Sequence, residues 1–378
     1  MPDTLSRHTA QPLILSGLPH DVHATAVCWL LRRSGLQPVW ASTFADPAIT
    51  PVSLHADSDT GLRTSGGIDA EHARSVWFRR PRAPRTLPGL AEADREFVLD
   101  EWRRTIENIH MVGAAGDDVL WVNLPDRGLA AEHKLLQLQA AHRCGLRFPA
   151  TLVSSHPEDI RAFQARHGRI VYKAFLTHSW RDREGRIYSS YARSIDADAL
   201  RHDASLRLCP GIYQAEVRKR YDLRVTAIGQ RLYTVRIDSP GRKDGVIDWR
   251  SASLGGTGRF RAWTLPDAWE RAIRALLDDL GLSFGCIDLV ADEDDALHFL
   301  EINQAGQFLF VETEVPELPL LRAMSALLAT GHTDYALDAV EPLSYADFKA
   351  SPEYADWLAV LEAETTMEDG RIPGVSEE

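Results

Sequence analysis

Lysine is scarce in this sequence: five of its 378 residues are lysine, and arginine supplies the other basic side chains. The five are Lys134, Lys173, Lys219, Lys243 and Lys349. Because arginine is the usual cation here, a lysine at a given position suggests a need for its compact ammonium group. A solvated surface lysine is the alternative explanation for each of them.

Cysteine is also rare, and no two of the four residues have CxxC spacing. This argues against a disulfide or zinc framework and indicates reduced thiols, which are typical of a cytoplasmic protein. The sequence shows neither a signal peptide nor an apolar stretch of membrane-spanning length. Its formal net charge of -12 argues against a protein that coats nucleic acid. We therefore expect a cytoplasmic protein with no nucleic-acid or membrane partner.

Two common catalytic signatures are missing as well. The sequence has no GxSxG motif and no Ser-His-Asp arrangement, which disfavours nucleophilic hydrolase chemistry. The segment PLILSGLPHDVHATAVCWLLRRSGLQPVWA predicts a strand, a turn, a helix and a second strand, as in an α/β domain. Its turn lacks the GxGxxG fingerprint, so we do not expect a dinucleotide site there.

Changes in composition and periodicity divide the chain into four predicted regions. They are an N-terminal α/β domain over 1–125, a central α+β region over 126–210, a C-terminal α+β region over 211–332, and an acidic, partly helical tail over 333–378. The final segment EDGRIPGVSEE is too polar to form a core, which predicts disorder.

The segment LHFLEINQAG places polar residues inside a strand that is otherwise apolar. Glu301 and Asn303 are two residues apart and so share one face of the strand. If this strand pairs with FGCIDLVA through a short loop over Glu293–Ala296, Asp288 lies opposite Glu301. The other face of the hairpin would then carry the apolar side chains of Ile287, Leu289, Leu300 and Ile302. Facing carboxylates destabilise a hairpin unless a cation compensates. An oxygen-only set of Asp, Glu and Asn suits Mg²⁺. The alternative is that Glu301 pairs with an arginine and Asp288 is solvated.

A second hairpin is predicted in DLRVTAIGQRLYTVRID, with its turn at Gly229-Gln230. A two-residue turn puts Arg224 and Arg236 on opposite faces, so the two side chains should not reach one site unless a bulge intervenes. A surface ion pair is the alternative role for Arg236.

These elements together resemble the ATP-grasp superfamily: a carboxylate pair at the end of a hairpin, two lysines on separate elements and an Asp-x-Arg strand. The resemblance implies an α/β (α+β) ATP-grasp fold with an N-terminal pre-grasp domain, and ATP and Mg²⁺ as cofactors. Residue by residue, it implies ATP binding by Lys134, Lys173, Gln214, Glu216 and Val217, Mg²⁺ binding by Asp288, Glu301 and Asn303, and catalytic roles for Asp222, Arg224 and Arg236.

The motifs SVWFRRP, YKAF, RIYSSYA, RIDS, DWR and FLEINQAGQFLFVE, spread over residues 12–329, narrow the resemblance to the graspetide maturases of the microviridin type. It implies a homodimeric ligase that activates Asp or Glu side chains of a ribosomal precursor peptide as acyl phosphates and forms ester or amide crosslinks, releasing ADP and phosphate. The precursor would have an acidic core and a leader that docks near RIYSSYA. In DWR, the resemblance implies substrate binding by Asp248 and Arg250 and a catalytic role for Arg250.

The sequence departs from the family's pattern in the charged segment THSWRDREGR and in its longer tail, which puts leader recognition and substrate class in question. A ligase for free amino acids, an enzyme that adds amino acids to a peptide terminus, and an inactive peptide-binding module remain alternatives. Intact site residues count against the last. Because the tail follows the last matched motif, we expect truncation near Glu341 to leave nucleotide binding unchanged.

Overall fold

The N-terminal region is built on a parallel sheet. The computed structural model describes residues 11–16, 20–42, 53–58, 61–65, 73–80, 90–113, 119–175, 179–181, 186–189, 192–195, 198–238 and 260–367. The first elements are β1 (Pro12–Ser16), α1 (Val22–Arg33), β2 (Val39–Ser42), β3 (Ser53–Asp57), β4 (Gly61–Ser65), β5 (Ser75–Arg79), α2 (Arg95–Gly113) and β6 (Leu120–Val122). The sheet order is β2-β1-β5-β6, with all neighbours parallel, and β3 and β4 form a separate antiparallel pair. The predicted strand, helix and second strand at the start of the chain are confirmed, and residues 17–19 of the predicted turn lie outside the described residues.

The central region contains a small antiparallel sheet. Its elements are α3 (Pro125–Ala131), α4 (Lys134–Arg143), β7 (Thr151–Ser154), α5 (Pro157–His167), β8 (Ile170–Lys173), β9 (Ser179–Arg181), β10 (Ile187–Ser189), β11 (Arg193–Ile195), α6 (Asp203–Leu208) and β12 (Gly211–Ala215). The sheet order is β11-β8-β12-β7, and β9 forms a separate antiparallel pair with β10, which lies in the segment RIYSSYA. The segment Glu216–Arg218 leads from this sheet into the next.

The third region is a five-stranded antiparallel sheet in the order β15-β14-β13-β16-β17. Its elements are β13 (Lys219–Ile228), β14 (Arg231–Ile237), β15 (Phe260–Ala262), α7 (Asp267–Leu280), β16 (Phe284–Asp292), β17 (Leu297–Asn303), α8 (Leu309–Glu314) and α9 (Leu320–Thr330), followed by α10 (Tyr345–Lys349) and α11 (Pro352–Met367). Helix α7 buries the helical repeat of Ile273, Leu276, Leu277 and Leu280 and ends at Gly281, whose left-handed φ of 67° stops the helix.

Two apolar cores lie on the two sides of this sheet. Leu223 and Leu289 belong to the core that includes α7 and the buried alanines of α4. Val235 and Cys286, which alternate with them along the strands, belong to the core that includes α1 and α9. Polar residues that share a face with Cys286 therefore look away from α7, toward the side on which the N-terminal region packs. The four cysteines are free thiols, as predicted.

The hairpin of β16 and β17 sets Asp288 opposite Glu301, as predicted, but through an irregular ladder and not the regular one that the sequence suggested. Ala291 pairs with Leu297, and a regular ladder from there would set Asp288 opposite Leu300. A register shift leaves Leu300 without a cross-strand partner and sets Asp288 opposite Glu301. The predicted opposition is confirmed. The predicted place of Leu300 in the core is wrong, because Phe299 occupies it beside Leu289 and Ile302.

The tail packs on the body of the protein. Tyr345 is 9 % and Phe348 0 % exposed, and both belong to the core that includes α1 and α9. The carboxylate of Glu312 accepts hydrogen bonds from the backbone N–H of Leu321 at 2.7 Å and of Tyr345 at 2.6 Å, and burial raises its pKa. The expectation that truncation near Glu341 is harmless is therefore withdrawn.

Two buried histidines give the fold a pH dependence that can be measured. Burial lowers the pKa of His23 and of His110 from 6.5 to about 4. Both are neutral in the folded protein at pH 6, whereas the unfolded chain takes up protons at these positions below pH 6.5. The part of the unfolding free energy that depends on neutral histidines is therefore fully present above pH 6.5. It is lost as the pH drops toward 4, by about 3 kcal/mol per histidine at most.

The measurement is urea unfolding between pH 8 and pH 4.5. His110→Phe should flatten the fall in unfolding free energy, because the ring of His110 packs edge-on against Phe78 and phenylalanine retains that contact without titrating. His142→Ala is the matched control, since His142 is exposed and should leave the curve unchanged. An unchanged slope in the His110 variant would contradict the assignment.

Within the described ranges, no helix combines the length and the apolar composition that a membrane crossing requires.

Candidate active site

Three charged residues on neighbouring strands form a row that runs from β13, the central strand of the five-stranded sheet, to β17 at its edge. Arg224 of β13 pairs with Asp288 of β16, which in turn pairs with Glu301 of β17. Nη1 of Arg224 donates to Oδ1 of Asp288 at 2.9 Å, and the two residues are 5 % and 7 % exposed. The alternative of a solvated Asp288 is therefore excluded, because the carboxylate is buried and has a cationic partner.

Glu301 has its own cationic partner. Lys134, the first residue of α4, donates from Nζ to Oε2 of Glu301 at 2.6 Å. The side chains are 30 % and 21 % exposed, so this pair lies at the open side of the row. From the sequence, the family resemblance was the only reason to expect Lys134 and Glu301 at the same site. In the structure the two side chains are in direct contact.

Asn303 lies on the same strand as Glu301, and its amide shapes the turn that follows. Its Oδ1 accepts a hydrogen bond from the N–H of Ala305 at 3.0 Å. Three residues after Asn303, Gly306 comes so close to β16 that a Cβ there would lie 2.6 Å from Cβ of Cys286. Glycine is therefore required for the turn to fold back against the row.

The chemistry of this donor set fits Mg²⁺. Two carboxylates and an amide oxygen provide oxygen ligands alone, and Mg²⁺ in nucleotide sites takes a few such ligands and completes its shell with phosphate oxygens and water. In the described part of the chain, no group of three or more His, Cys, Asp and Glu side chains is arranged to hold a metal ion. The set here has only two carboxylates, as expected for a site that is completed by a phosphate-bearing ligand.

Apart from Lys134 on α4, the residues predicted to bind the nucleotide lie on the central sheet and on the segment that leaves it. Nζ of Lys173 donates to Oε1 of Gln214 at 2.9 Å, and Nε2 of Gln214 donates to Thr151 at 3.0 Å. Glu216 accepts hydrogen bonds from Arg169 at 3.1 Å and from a serine hydroxyl at 2.9 Å, and Val217 beside it is half-buried. Lys173 and Gln214 thus form one polar group on neighbouring strands.

Lys219 is a site residue that our sequence analysis did not select. Its Nζ donates to both carboxylate oxygens of Asp222, at 2.9 and 2.7 Å, and the side chains are 12 % and 6 % exposed. Asp222 precedes Arg224 by two residues on β13 and so shares its face. The scarcity of lysine was the signal that could have identified Lys219.

Arg236 lies on the other face of the sheet. It pairs with Leu223 across β13 and β14, its Nε donates to Asp238 at 2.7 Å, and its guanidinium lies 3.7 Å from the ring centroid of Tyr221. Arg236 therefore acts as a stacked, ion-paired side chain. The geometry supports that alternative, and we withdraw the catalytic role that the resemblance implied. Asp248 and Arg250 lie outside the described residues.

The N-terminal sheet also contributes to the turn beyond Asn303. Arg79 and Arg80, at the end of β5, both donate to the carbonyl of Ala305, at 3.3 and 3.2 Å. Arg79 also pairs with Asp21 at 2.7 Å, and Nε2 of His23 accepts from the N–H of Phe308 at 3.1 Å. The motif SVWFRRP thus has a positional explanation: its arginines hold the segment that follows the row of charges.

The comparison with solved structures identifies the fold. No family model and no curated protein matches the sequence. The macrocyclase MdnC of Microcystis aeruginosa MRC, solved with its precursor peptide MdnA, is 25 % identical, with a TM-score of 0.71 over 84 % of this chain and 99 % of that one. The macrocyclase MdnB of the same organism is 26 % identical, with a TM-score of 0.67 over 84 % of this chain and 99 % of that one.

A third structure agrees in fold. It is a RiPP-associated ATP-grasp ligase of Chryseobacterium gregarium in complex with ADP, a leader and a core peptide, 22 % identical, with a TM-score of 0.74 over 84 % of this chain and 96 % of that one. These matches span 84 % of this chain and nearly the whole length of the solved proteins. The chain therefore has the fold of these enzymes, which include an ATP-grasp ligase, and it is similar in sequence and structure to two macrocyclases.

Proposed function

We propose that this enzyme uses ATP and Mg²⁺ to activate Asp or Glu side chains of a ribosomal precursor peptide as acyl phosphates, and then joins them to hydroxyl or amine side chains of the same peptide. The observation that carries the proposal is the row of Arg224, Asp288 and Glu301, flanked by Lys134 and Asn303, in a chain whose structural neighbours are peptide macrocyclases.

The chemistry explains the need for this arrangement. A carboxylate is a poor electrophile, and transfer of the γ-phosphoryl group of ATP to it yields an acyl phosphate and ADP. Attack of an alcohol or amine on the carbonyl carbon then forms the ester or amide and releases phosphate. Bound Mg²⁺ would neutralise charge between the β- and γ-phosphate oxygens. The protein's part is to position the groups and to place fixed cations where charge develops.

Each described residue has a proposed part in this scheme. Asp288, Glu301 and Asn303 hold the metal. Lys134 and Lys173 contact phosphates as compact charges. Arg224, with Asp222 and Lys219 beside it, faces the phosphoryl group in transit, since a guanidinium can bind two phosphate oxygens at once.

The remaining assignments concern the nucleotide base, the peptide and the assembly. Gln214, Glu216 and Val217 border the base, and Asp248 and Arg250 contact the peptide. We keep the boundaries 1–125, 126–210, 211–332 and 333–378 for the four regions, and we propose a cytoplasmic homodimer that works without a nucleic-acid partner. The solved MdnC complex contains a precursor peptide, and the ligase from Chryseobacterium gregarium contains a leader and a core peptide, which supports a peptide as the partner here.

The test is to incubate the enzyme with ATP, Mg²⁺ and an acidic peptide encoded next to its gene. We expect the peptide to lose the mass of one water per new bond, and we expect removal of its leader to slow the reaction strongly, because a docked leader raises the effective concentration of the core. A peptide with Asn and Gln in place of the core acids is the control and should keep its mass. If free amino acids alone stimulate ADP release, the enzyme is instead a small-molecule ligase.

A further inference from the structure

Gln137 lies at the centre of the contact between α4 and the strand that holds the proposed metal ligands. Strand β17 is the edge of the five-stranded sheet, so every second residue of it turns its backbone N–H and C=O away from the sheet. Ile302, between Glu301 and Asn303, is such a residue. Its N–H donates to Oε1 of Gln137 at 3.0 Å, and its carbonyl accepts from Nε2 of Gln137 at 2.9 Å.

The amide of Gln137 thus replaces a sixth strand at one position. Its second N–H donates to the carbonyl of Ala131, the last residue of α3, at 2.6 Å. Gln137 is 1 % exposed, and both of its donors and its acceptor oxygen have partners. A buried amide with this set of bonds has one position only, since moving it would leave three backbone groups unpaired.

The same helix face carries Lys134. Residues three apart on a helix are neighbours, so Lys134 and Gln137 approach β17 together, one at the carboxylate of Glu301 and the other at the next peptide group. A shift of α4 along β17 would change both contacts at once. Glu301 and Asn303 flank the bonded residue and would move with it.

We infer that Gln137 is a positioning residue, which holds the strand of Glu301 and Asn303, and Lys134 with it, in register for metal binding. The inference rests on the proposed metal site. It assigns a function to a residue of the motif EHKLLQLQAA that touches neither metal nor nucleotide itself. Partners that orient metal ligands in this way contribute about 10- to 100-fold to metal affinity.

The test is Mn²⁺ binding in the presence of ADP, followed by the electron paramagnetic resonance signal of free Mn²⁺. Gln137→Met keeps the length of the side chain and removes all three hydrogen bonds, so we expect the dissociation constant for Mn²⁺ to rise about tenfold or more. Leu276→Ala is the matched control, because Leu276 is fully buried in the core under the same sheet and has no bond to Ile302. It should lower stability and leave Mn²⁺ affinity unchanged.

Gln137→Glu provides a second variant and a signature that a purely structural role would not give. Its ionised carboxylate can accept from Ile302 but cannot donate to the two carbonyls, whereas a protonated carboxyl can donate to one of them. The deficit in Mn²⁺ affinity relative to wild type should therefore shrink as the pH falls.

Two results distinguish the positioning role of Gln137 from the proposed metal site on which it rests. Wild-type Mn²⁺ affinity in Gln137→Met, together with weakened binding in Glu301→Gln, would overturn the positioning role alone. Wild-type affinity in Glu301→Gln would overturn the metal site itself. If Gln137→Met is insoluble, the pH series of Gln137→Glu decides, and a deficit that does not change with pH counts against the inference.

Discussion

Glu301→Gln should reduce ATP turnover about 1000-fold or more, because the substitution removes one negative charge from the proposed metal site and leaves the size of the side chain unchanged. The ammonium group of Lys134, 2.6 Å from Oε2 of Glu301, also loses the negative charge of its partner. Asp288→Asn should have a comparable effect, since Asp288 faces Glu301 and accepts from Arg224. The measurement is ADP release with peptide substrate, alongside thermal unfolding to confirm that the fold persists.

Asp292→Asn is the matched control for both substitutions. Asp292 is the last residue of β16, four residues beyond Asp288, and its carboxylate accepts from His298 at 2.9 Å. It lies at the far end of the hairpin from the row of charges, so turnover should stay within about twofold of wild type. Wild-type turnover in Glu301→Gln or Asp288→Asn would show that these carboxylates do not hold the metal.

The second large effect concerns stability. Phe348→Ala should lower the free energy of unfolding by about 3–5 kcal/mol, because the ring is fully buried and packs against Trp29, with 5.5 Å between ring centroids. Truncation after Val340 should cost more, since it also removes Tyr345, whose backbone N–H is one of the two that donate to the buried carboxylate of Glu312. We expect little soluble protein from that truncation.

Val360→Ala is the control within the same tail, because Val360 on α11 is 43 % exposed and its substitution should change stability by less than about 0.5 kcal/mol. Urea unfolding of both point variants provides the comparison. If the truncated protein is soluble and unfolds at the same urea concentration as the full chain, the packing of α10 contributes nothing to stability.

The parts of the fold that follow from local periodicity could be predicted from the sequence. The apolar residues Ile273, Leu276, Leu277 and Leu280 have the spacing of a helix, which α7 has. Strict alternation placed Arg224 and Arg236 on opposite faces of their hairpin. Glu301 and Asn303 were identifiable as site residues because polar side chains inside an apolar strand need compensation. Each of these inferences depends on residues that are close together along the chain.

The remaining features depend on contacts between distant segments. In the sequence, Gln137 cannot be distinguished from other polar residues of a helix. Its amide bonds to Ile302 of β17, and this contact between distant segments cannot be read from the helical pattern. The tail was judged by its acidic composition, yet the ring of Phe348 packs against Trp29 of α1. Arg236 could be assigned to a face but not to the ring of Tyr221, because side-chain stacking has no sequence period.

The bulge at Leu300 has a consequence for how the hairpin can change in evolution. A hairpin that paired Asp292 with Leu297 in a regular ladder would also set Asp288 opposite Glu301, whereas the observed one begins at Ala291 and Leu297 and recovers the same pair through the unpaired Leu300. One residue of length can thus be gained or lost near the tip while a bulge forms or disappears to compensate. A change of one residue in the length of the loop Glu293–Ala296 therefore need not alter the pairing of Asp288 with Glu301.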